Sequence, residues 1–178
     1  KTKNNGKRIV NVYDQQDLKQ VKEYGFSKDV LDNWMYANSI HLVDYLSIFC
    51  RGNFEKINII QNYEKSNPDF VMAKIDFSSG DIGIFNSYWK YPSPWSVVVN
   101  TEEFRAELSP IEELRIRYHS LNKSSYYKRD NDDINFKPGL LKQAKNIVKF
   151  LNGSENILVP IQEANKSMFL ASKIFEVE

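Results

Sequence analysis

Cysteine occurs once in this chain, at Cys50, so no internal disulfide can staple it. In an apolar stretch a lone cysteine is most simply a small buried residue, and a reducing, cytoplasmic setting is the default that follows. Histidine occurs twice, at His41 and His119, and the acidic residues are scattered, so no metal-ligand spacing is present. Neither sign of charge is in excess. The formal net charge of +1 offers no surface for nucleic acid or for a membrane. No apolar run approaches the ~20 residues of a membrane span. Glycine stands at seven positions, yet none builds the G-x-G-x-x-G turn in which backbone N–H groups meet a pyrophosphate at a helix N-terminus. Gly80 and Gly83 belong to a Ser-Gly-Asp-Ile-Gly turn that leads into a strand. The chain opens at Lys1 and not at Met, so the lack of a leader excludes nothing.

What remains is one domain's worth of chain: 178 residues, 42% of them hydrophobic, enough for a real core. Residues 1–7 are polar and expected to fray. Residues 9–13 alternate as a strand and run into Asp14-Gln15-Gln16-Asp17. Asp14 is a candidate site residue because strand ends are where sites are often built. Asp17 reads equally well as the cap of a short helix that Gly25 stops, and Ser27 begins another. The stretch 33–46 organises the chain. It carries His41 and opens the first long apolar helix, with Ile40, Leu42, Val43, Leu46 and Phe49 at helical spacing. Asn38 or Ser39 is expected as its N-cap. His41 and Asp44 lie on one face, and spacing alone reads them as readily as a structural histidine held by a carboxylate as an acid–base pair.

After Gly52 the period changes to two. Strands are expected at 54–63, 70–77, 82–89, 95–99, 104–108 and 114–118, with a loop at 64–69 and a hairpin turn at 78–81. The polar segment 120–133 reads as a loop. Pro138 starts a helix that Asn152-Gly153 ends. Pro160 starts the last one, with Ile161, Ala164, Met168, Ala171 and Phe175 as its buried face and Met168–Phe169 as core. This order predicts an α+β fold: an open, mainly antiparallel sheet of about six strands with helices on one face. Phe85, Trp89 and Val98 look too apolar for a solvated outer face and suggest a partner surface there.

The run Asn38-Ser39-Ile40-His41-Leu42-Val43-Asp44, followed by Arg51-Gly52, resembles the His-x-x-Asp segment of the Gfo/Idh/MocA family of two-domain NAD(P)-dependent oxidoreductases. Over nearly its whole length the chain is similar to their C-terminal domain alone, which implies the dihydrodipicolinate-reductase and GAPDH-C-terminal-like arrangement. The resemblance implies a substrate-binding and oligomerisation domain acting on a sugar, nucleotide sugar or polyol. It also implies homo-oligomers through the open sheet face, with no nucleic acid or membrane as partner. NAD or NADP would serve the full-length parent, and none is expected on this fragment. The dinucleotide domain and its Glu-Lys-Pro motif would precede Lys1, and Lys137-Pro138 is not that motif. His41 matches the catalytic histidine. Four residues earlier, where many members carry Asp, stands Ala37.

Trp34, Asn38, Asp14, Lys137 and Gln143 are the expected substrate contacts, the last two from a Pro-Gly helix start followed by Gln. Tyr36, Tyr88, Trp89, Lys90 and Tyr91 are further stacking or hydrogen-bonding groups, with Tyr88 and Trp89 more simply core or interface. The alternative is a non-catalytic sugar-binding or assembly module on the same fold. Because the glycine-rich turn is missing, calorimetric titration of this chain with NAD⁺ or NADP⁺ is expected to give no binding heat; micromolar affinity would contradict the two-domain reading.

Overall fold

In the computed structural model the described residues are 6–66, 70–120 and 123–177. Most of the polar start and part of the expected 64–69 loop lie outside them. One mixed sheet of eight strands runs in the order β2-β3-β4-β1-β5-β6-β7-β8. The strands are β1 (Ile9–Gln15), β2 (Phe54–Gln61), β3 (Phe70–Phe77), β4 (Ile82–Tyr88), β5 (Ser96–Asn100), β6 (Phe104–Leu108), β7 (Leu114–Tyr118) and β8 (Ser124–Tyr127). The helices are α1 (Leu18–Glu23), α2 (Lys28–Asp32), α3 (Ile40–Phe49), α4 (Asn131–Asn135), α5 (Leu140–Leu151) and α6 (Ile161–Phe175), with a π-turn, Met35–Ser39, leading into α3. None is long and apolar enough to cross a membrane.

The α+β class is as expected, but the sheet has eight strands, not about six. β8 forms where a loop was expected, because an edge strand exposed on both faces needs backbone hydrogen bonds and no apolar alternation. The first strand supplies the other difference. β1 sits between β4 and β5, parallel to β4 and antiparallel to β5, while the remaining neighbours pair antiparallel. A parallel pair needs a long crossover, and the helices from α1 to α3 with the β2–β3–β4 meander provide it.

α3 and α6 lie on one face. Leu42, Val43 and Leu46 of α3 and Leu170, Ala171, Ile174 and Phe175 of α6 bury against Val10, Val12, Ala73, Ile75 and Phe85. Gly83 permits this approach: a Cβ there would stand 2.9 Å from the Leu46 side chain. Two expectations about faces are corrected here. Phe85 and Trp89 do not line the outer face. Both rings meet Phe175 of α6, at 5.8 and 5.5 Å. Val98 is buried outside that core, opposite Asn11 and Glu107 on the helix-free side. In α6 the buried stripe is Ser167, Leu170, Ala171, Ile174 and Phe175, while Ile161, Met168 and Phe169 are exposed. Both stripes have helical spacing. They share Ala171 and Phe175, and the observed one faces inward because Leu170 and Ile174 pack with these into the core, with the Ser167 hydroxyl donating to Asp44 Oδ1 at 2.5 Å. α5 turns Leu140, Ile147, Val148, Phe150 and Leu151 outward, an apolar stripe that no described residue covers.

A buried carboxylate ties the sheet to α3. Asp81, in the β3–β4 turn, accepts Arg51 Nε at 2.9 Å and Nη2 at 2.6 Å, and also the backbone N–H groups of Arg8 and Arg51 at 2.9 Å each. Burial works to raise the Asp81 carboxyl, but the Arg51 guanidinium and the two backbone N–H groups outweigh it and hold the carboxyl well below the usual carboxylate range. Asp81→Ala is expected to cost roughly 1–3 kcal/mol at pH 7, since it leaves the backbone N–H groups of Arg8 and Arg51 without their acceptor, while the half-exposed Arg51 guanidinium can turn to water. The carboxyl's folded-state pKa is depressed, so its contribution is complete above an ordinary Asp pKa of about 4 and fades as the pH falls further. Urea melts of both proteins at pH 7 and below pH 4 should therefore show the gap narrowing in acid.

Candidate functional site

The inward residues of β1 are Val10, Val12 and Asp14, so the strand ends with a carboxylate where its pattern calls for an apolar side chain. Asp14 is fully buried and compensated by donors. Its Oδ2 accepts the Trp89 indole N–H at 2.8 Å and the Ser87 hydroxyl at 3.2 Å. Stacking on Phe175 holds the Trp89 ring in place. The other oxygen, Oδ1, accepts Gln16 Nε2 at 3.0 Å, and Gln16 Oε1 in turn accepts Asn38 Nδ2 at 2.8 Å. Backbone bonds from Gln16 N to the Tyr88 carbonyl and from Leu18 N to the Trp89 carbonyl extend the β1–β4 ladder and fix Gln16 in place. Burial pushes the Asp14 carboxyl up, against the opposing effect of Ser39, Trp89, Ser87 and Trp95, the donors that face it.

Asn38 belongs to the π-turn, and neither it nor Ser39 caps α3. The chain is helical from Trp34 onward, and the Ile40 N–H reaches back to the Met35 carbonyl. Such turns are frequent at functional sites. This one holds two buried polar atoms that lack a normal hydrogen bond among the described residues, Trp34 Nε1 and Ser39 Oγ. Ser39 faces the Asp14 carboxylate without closing a bond of good geometry. The Trp34 ring leans on Phe26, 5.9 Å away. A regular polar end of a helix leaves no such orphans in its interior.

His41 stands one turn beyond Asn38, exposed, and Ala37 before it is exposed too. Among the described residues no hydrogen bond joins Asp44 to the imidazole; Asp44 Oδ1 accepts the Ser167 hydroxyl at 2.5 Å. Of the expected contacts, Asp14 and Asn38 are brought together through Gln16, and Trp34 lies in the same turn as Asn38. Lys137 and Gln143 are not brought there. Lys137 is exposed in the link before α5, and Gln143 lines a surface hollow with Asn146, Ile157 and Val159. Trp89 is committed to Asp14 and the core. Gln16 and Ser87 were not singled out from the sequence. Gln16 sits in the polar patch after β1, and nothing local distinguishes it from Gln15.

Neither strand-to-helix turn among the described residues is an open pyrophosphate cradle. The two strand-to-helix turns, β1 to α1 and β8 to α4, are capped by Asp17 and Asp130, which accept Lys19 N and Asp133 N, each at 2.9 Å. A carboxylate already occupies the N-terminal N–H groups that a pyrophosphate would use. No group of three or more His, Cys, Asp or Glu able to hold a metal ion occurs among the described residues.

No protein-family model matches the chain, and no curated protein matches it. Solved structures do. A dehydrogenase from Clostridium difficile superposes with a TM-score of 0.69 at 12% identity, over 94% of this chain and 54% of that one. UDP-N-acetylglucosamine 3-dehydrogenase from Acidithiobacillus ferrooxidans gives a TM-score of 0.73 at 9% identity, over 97% and 54%. Levoglucosan dehydrogenase in complex with NADH and levoglucosan gives 0.69 at 13%, over 97% and 57%. The chain thus spans about half the length of these Gfo/Idh/MocA-type dehydrogenases and has the fold of that half, consistent with their C-terminal domain.

Ser39→Ala removes a buried hydroxyl that closes no good hydrogen bond. It is expected to leave stability unchanged or to raise it by up to about 1 kcal/mol. A clear fall in melting temperature would mean that the hydroxyl is bonded.

Proposed function

We propose that this chain is the C-terminal, substrate-binding and oligomerisation domain of an NAD(P)-dependent oxidoreductase acting on a sugar, nucleotide sugar or related polyol. The observation that carries the reading is the state of His41. Its imidazole is exposed at the start of α3, one turn from a fixed amide, and Asp44, its expected structural partner, is bonded elsewhere. The named substrates of neighbours with this fold, UDP-N-acetylglucosamine and levoglucosan, support a hydroxyl-rich ligand.

Oxidising a carbinol requires a base for the hydroxyl proton as the carbon gives up hydride. His41 is the base in this reading and Asn38 meets the substrate, while Trp34, expected as a contact, is buried in the core beneath them. The hydride acceptor would be a nicotinamide bound by a preceding domain, since the strand-to-helix turns described here are closed to it. The helix-free sheet face, where Val98, Ile84 and Met72 lie among ion pairs such as Lys74–Asp76, is the surface proposed to meet a second copy.

A second reading is favoured by Ala37. With no carboxylate one turn before His41, the chain could be a binding or assembly module that has lost the chemistry. His41→Ala in the longer protein separates the two. The catalytic reading expects turnover to fall by about 10²–10⁴ with little change in melting temperature. Near-normal turnover would end the catalytic assignment and leave the module.

A further inference from the structure

We infer that Asp14 and Gln16 are positioning residues that set the orientation of the Asn38 amide, so that Asn38 presents its carbonyl oxygen, Oδ1, as the acceptor for a ligand hydroxyl beside His41. The inference rests on the polyol reading only in its last step; the orientation itself is a matter of hydrogen-bond polarity.

The polarity starts at Asp14. An indole N–H can only donate, so Trp89 at 2.8 Å requires Oδ2 to accept. Burial favours the neutral acid, and the donors Trp89 and Ser87 on Oδ2 favour the carboxylate. In the ionised form Asp14 accepts at Oδ1 as well, and Gln16 offers its Nε2 there, at 3.0 Å, as the structure has it. An amide side chain has one donor end and one acceptor end. With its nitrogen committed to Asp14, Gln16 has only Oε1 for Asn38. Asn38 must therefore give Nδ2, at 2.8 Å. What is left of Asn38 on the half-exposed side is its carbonyl oxygen. The buried end cannot be rearranged cheaply, because Asp14 is fully enclosed and Ser87 and Trp89 hold its second oxygen. The main chain of Gln16 is held by its backbone N–H on the Tyr88 carbonyl, and the side chain is held by Asp14 and Asn38 at its two ends.

The amide oxygen does not stand in for a carboxylate at position 37. The reacting hydroxyl has one proton, and that goes to His41, so Asn38 Oδ1 accepts from a neighbouring hydroxyl of the polyol and thereby orients the ligand. The oxygen is held in place by a carboxylate two hydrogen bonds away in the interior. The reverse polarity requires a neutral Asp14 that donates from Oδ1 to Gln16. Both amides would then turn, and Asn38 would show an N–H group instead.

Three variants read the polarity. Gln16→Glu sets two acceptors against each other at Asp14 and should lower the melting temperature clearly. Asp14→Asn/Gln16→Glu restores a donor at 14 and an acceptor for Asn38, and should recover most of that loss. Asp14→Asn alone should keep the fold but turn both amides. The direct readout is hydrogen exchange of the Asn38 side-chain NH₂, followed by nitrogen-edited NMR on this chain. The protons should be protected in the parent sequence and in the double variant, and exchange at least about ten-fold faster in Asp14→Asn, where no acceptor remains for them. If Gln16→Glu melts normally and the double variant gains nothing, the polarity is the reverse and the inference falls. In the longer protein, kcat/KM for its hydroxylated substrate should drop about ten-fold in Asp14→Asn and return in the double variant. If the exchange pattern appears as expected but kcat/KM stays the same in all three, Asn38 has no acceptor role toward the ligand. Neither result depends on the His41→Ala experiment, so the two readings fail separately.

Discussion

The carboxylate of Asp81 is the constraint on which the arrangement depends. It is enclosed in the β3–β4 turn, yet it touches two other parts of the chain: the approach to β1 through Arg8 N, and the exit of α3 through Arg51, by its backbone N–H and by its side chain, which also reaches the Gly6 carbonyl at 2.6 Å. Arg8 Nη1 closes the ring by donating to the Phe49 carbonyl at the end of α3. A carboxylate that accepts several fixed donors is stable buried, whereas a bare one is not. The clamp therefore makes two placements one. β1 must lie beside β4, and the C-terminal end of α3 must sit over the start of both strands.

With one end of α3 pinned there, its other end falls over the C-terminal ends of β1 and β4. That is where Asp14, Ser87 and Trp89 gather and where the π-turn presents Asn38 and Ser39. Gly83 and Leu46 set how closely helix and sheet approach between the two ends. The site is thus the far end of a rigid lever. Its inner half is saturated with hydrogen bonds, apart from two orphaned atoms in the turn, and its outer half, His41 and Ala37, is open. Such a division suits recognition: an ordered interior fixes the direction of a few polar groups, and exposed ones do the exchange.

Much of this was legible in the residues. Period-two alternation placed β6 and β7 at their observed bounds, and Ser78-Ser79-Gly80-Asp81 announced the turn between β3 and β4. The apolar spacing of 40–49 marked α3, and Asp14 and Asn38, both singled out in the sequence, are joined through Gln16. Other features were not legible. β8 carries no apolar pattern because neither of its faces is buried. The expected and observed stripes of α6 share Ala171 and Phe175, and only packing against α3 and the sheet puts Leu170 and Ile174 inside and leaves Ile161 and Met168 outside. Phe85 and Trp89 read as outer-face residues until Phe175 arrives from the far end of the chain to cover them.

By itself, then, the sequence determined the kinds and order of the elements, the antiparallel hairpins and the stretch around His41, because these follow from side-chain period, turn chemistry and contacts a few residues apart. Tertiary structure alone decided that β1 enters the sheet between β4 and β5, and the site depends on that insertion. Gln16 meets Asn38 across 22 residues, and Asp14 meets Trp89 across 75. Hydrogen bonds at such separations leave no periodic trace, since each partner's own segment satisfies its local pattern whether or not the other arrives.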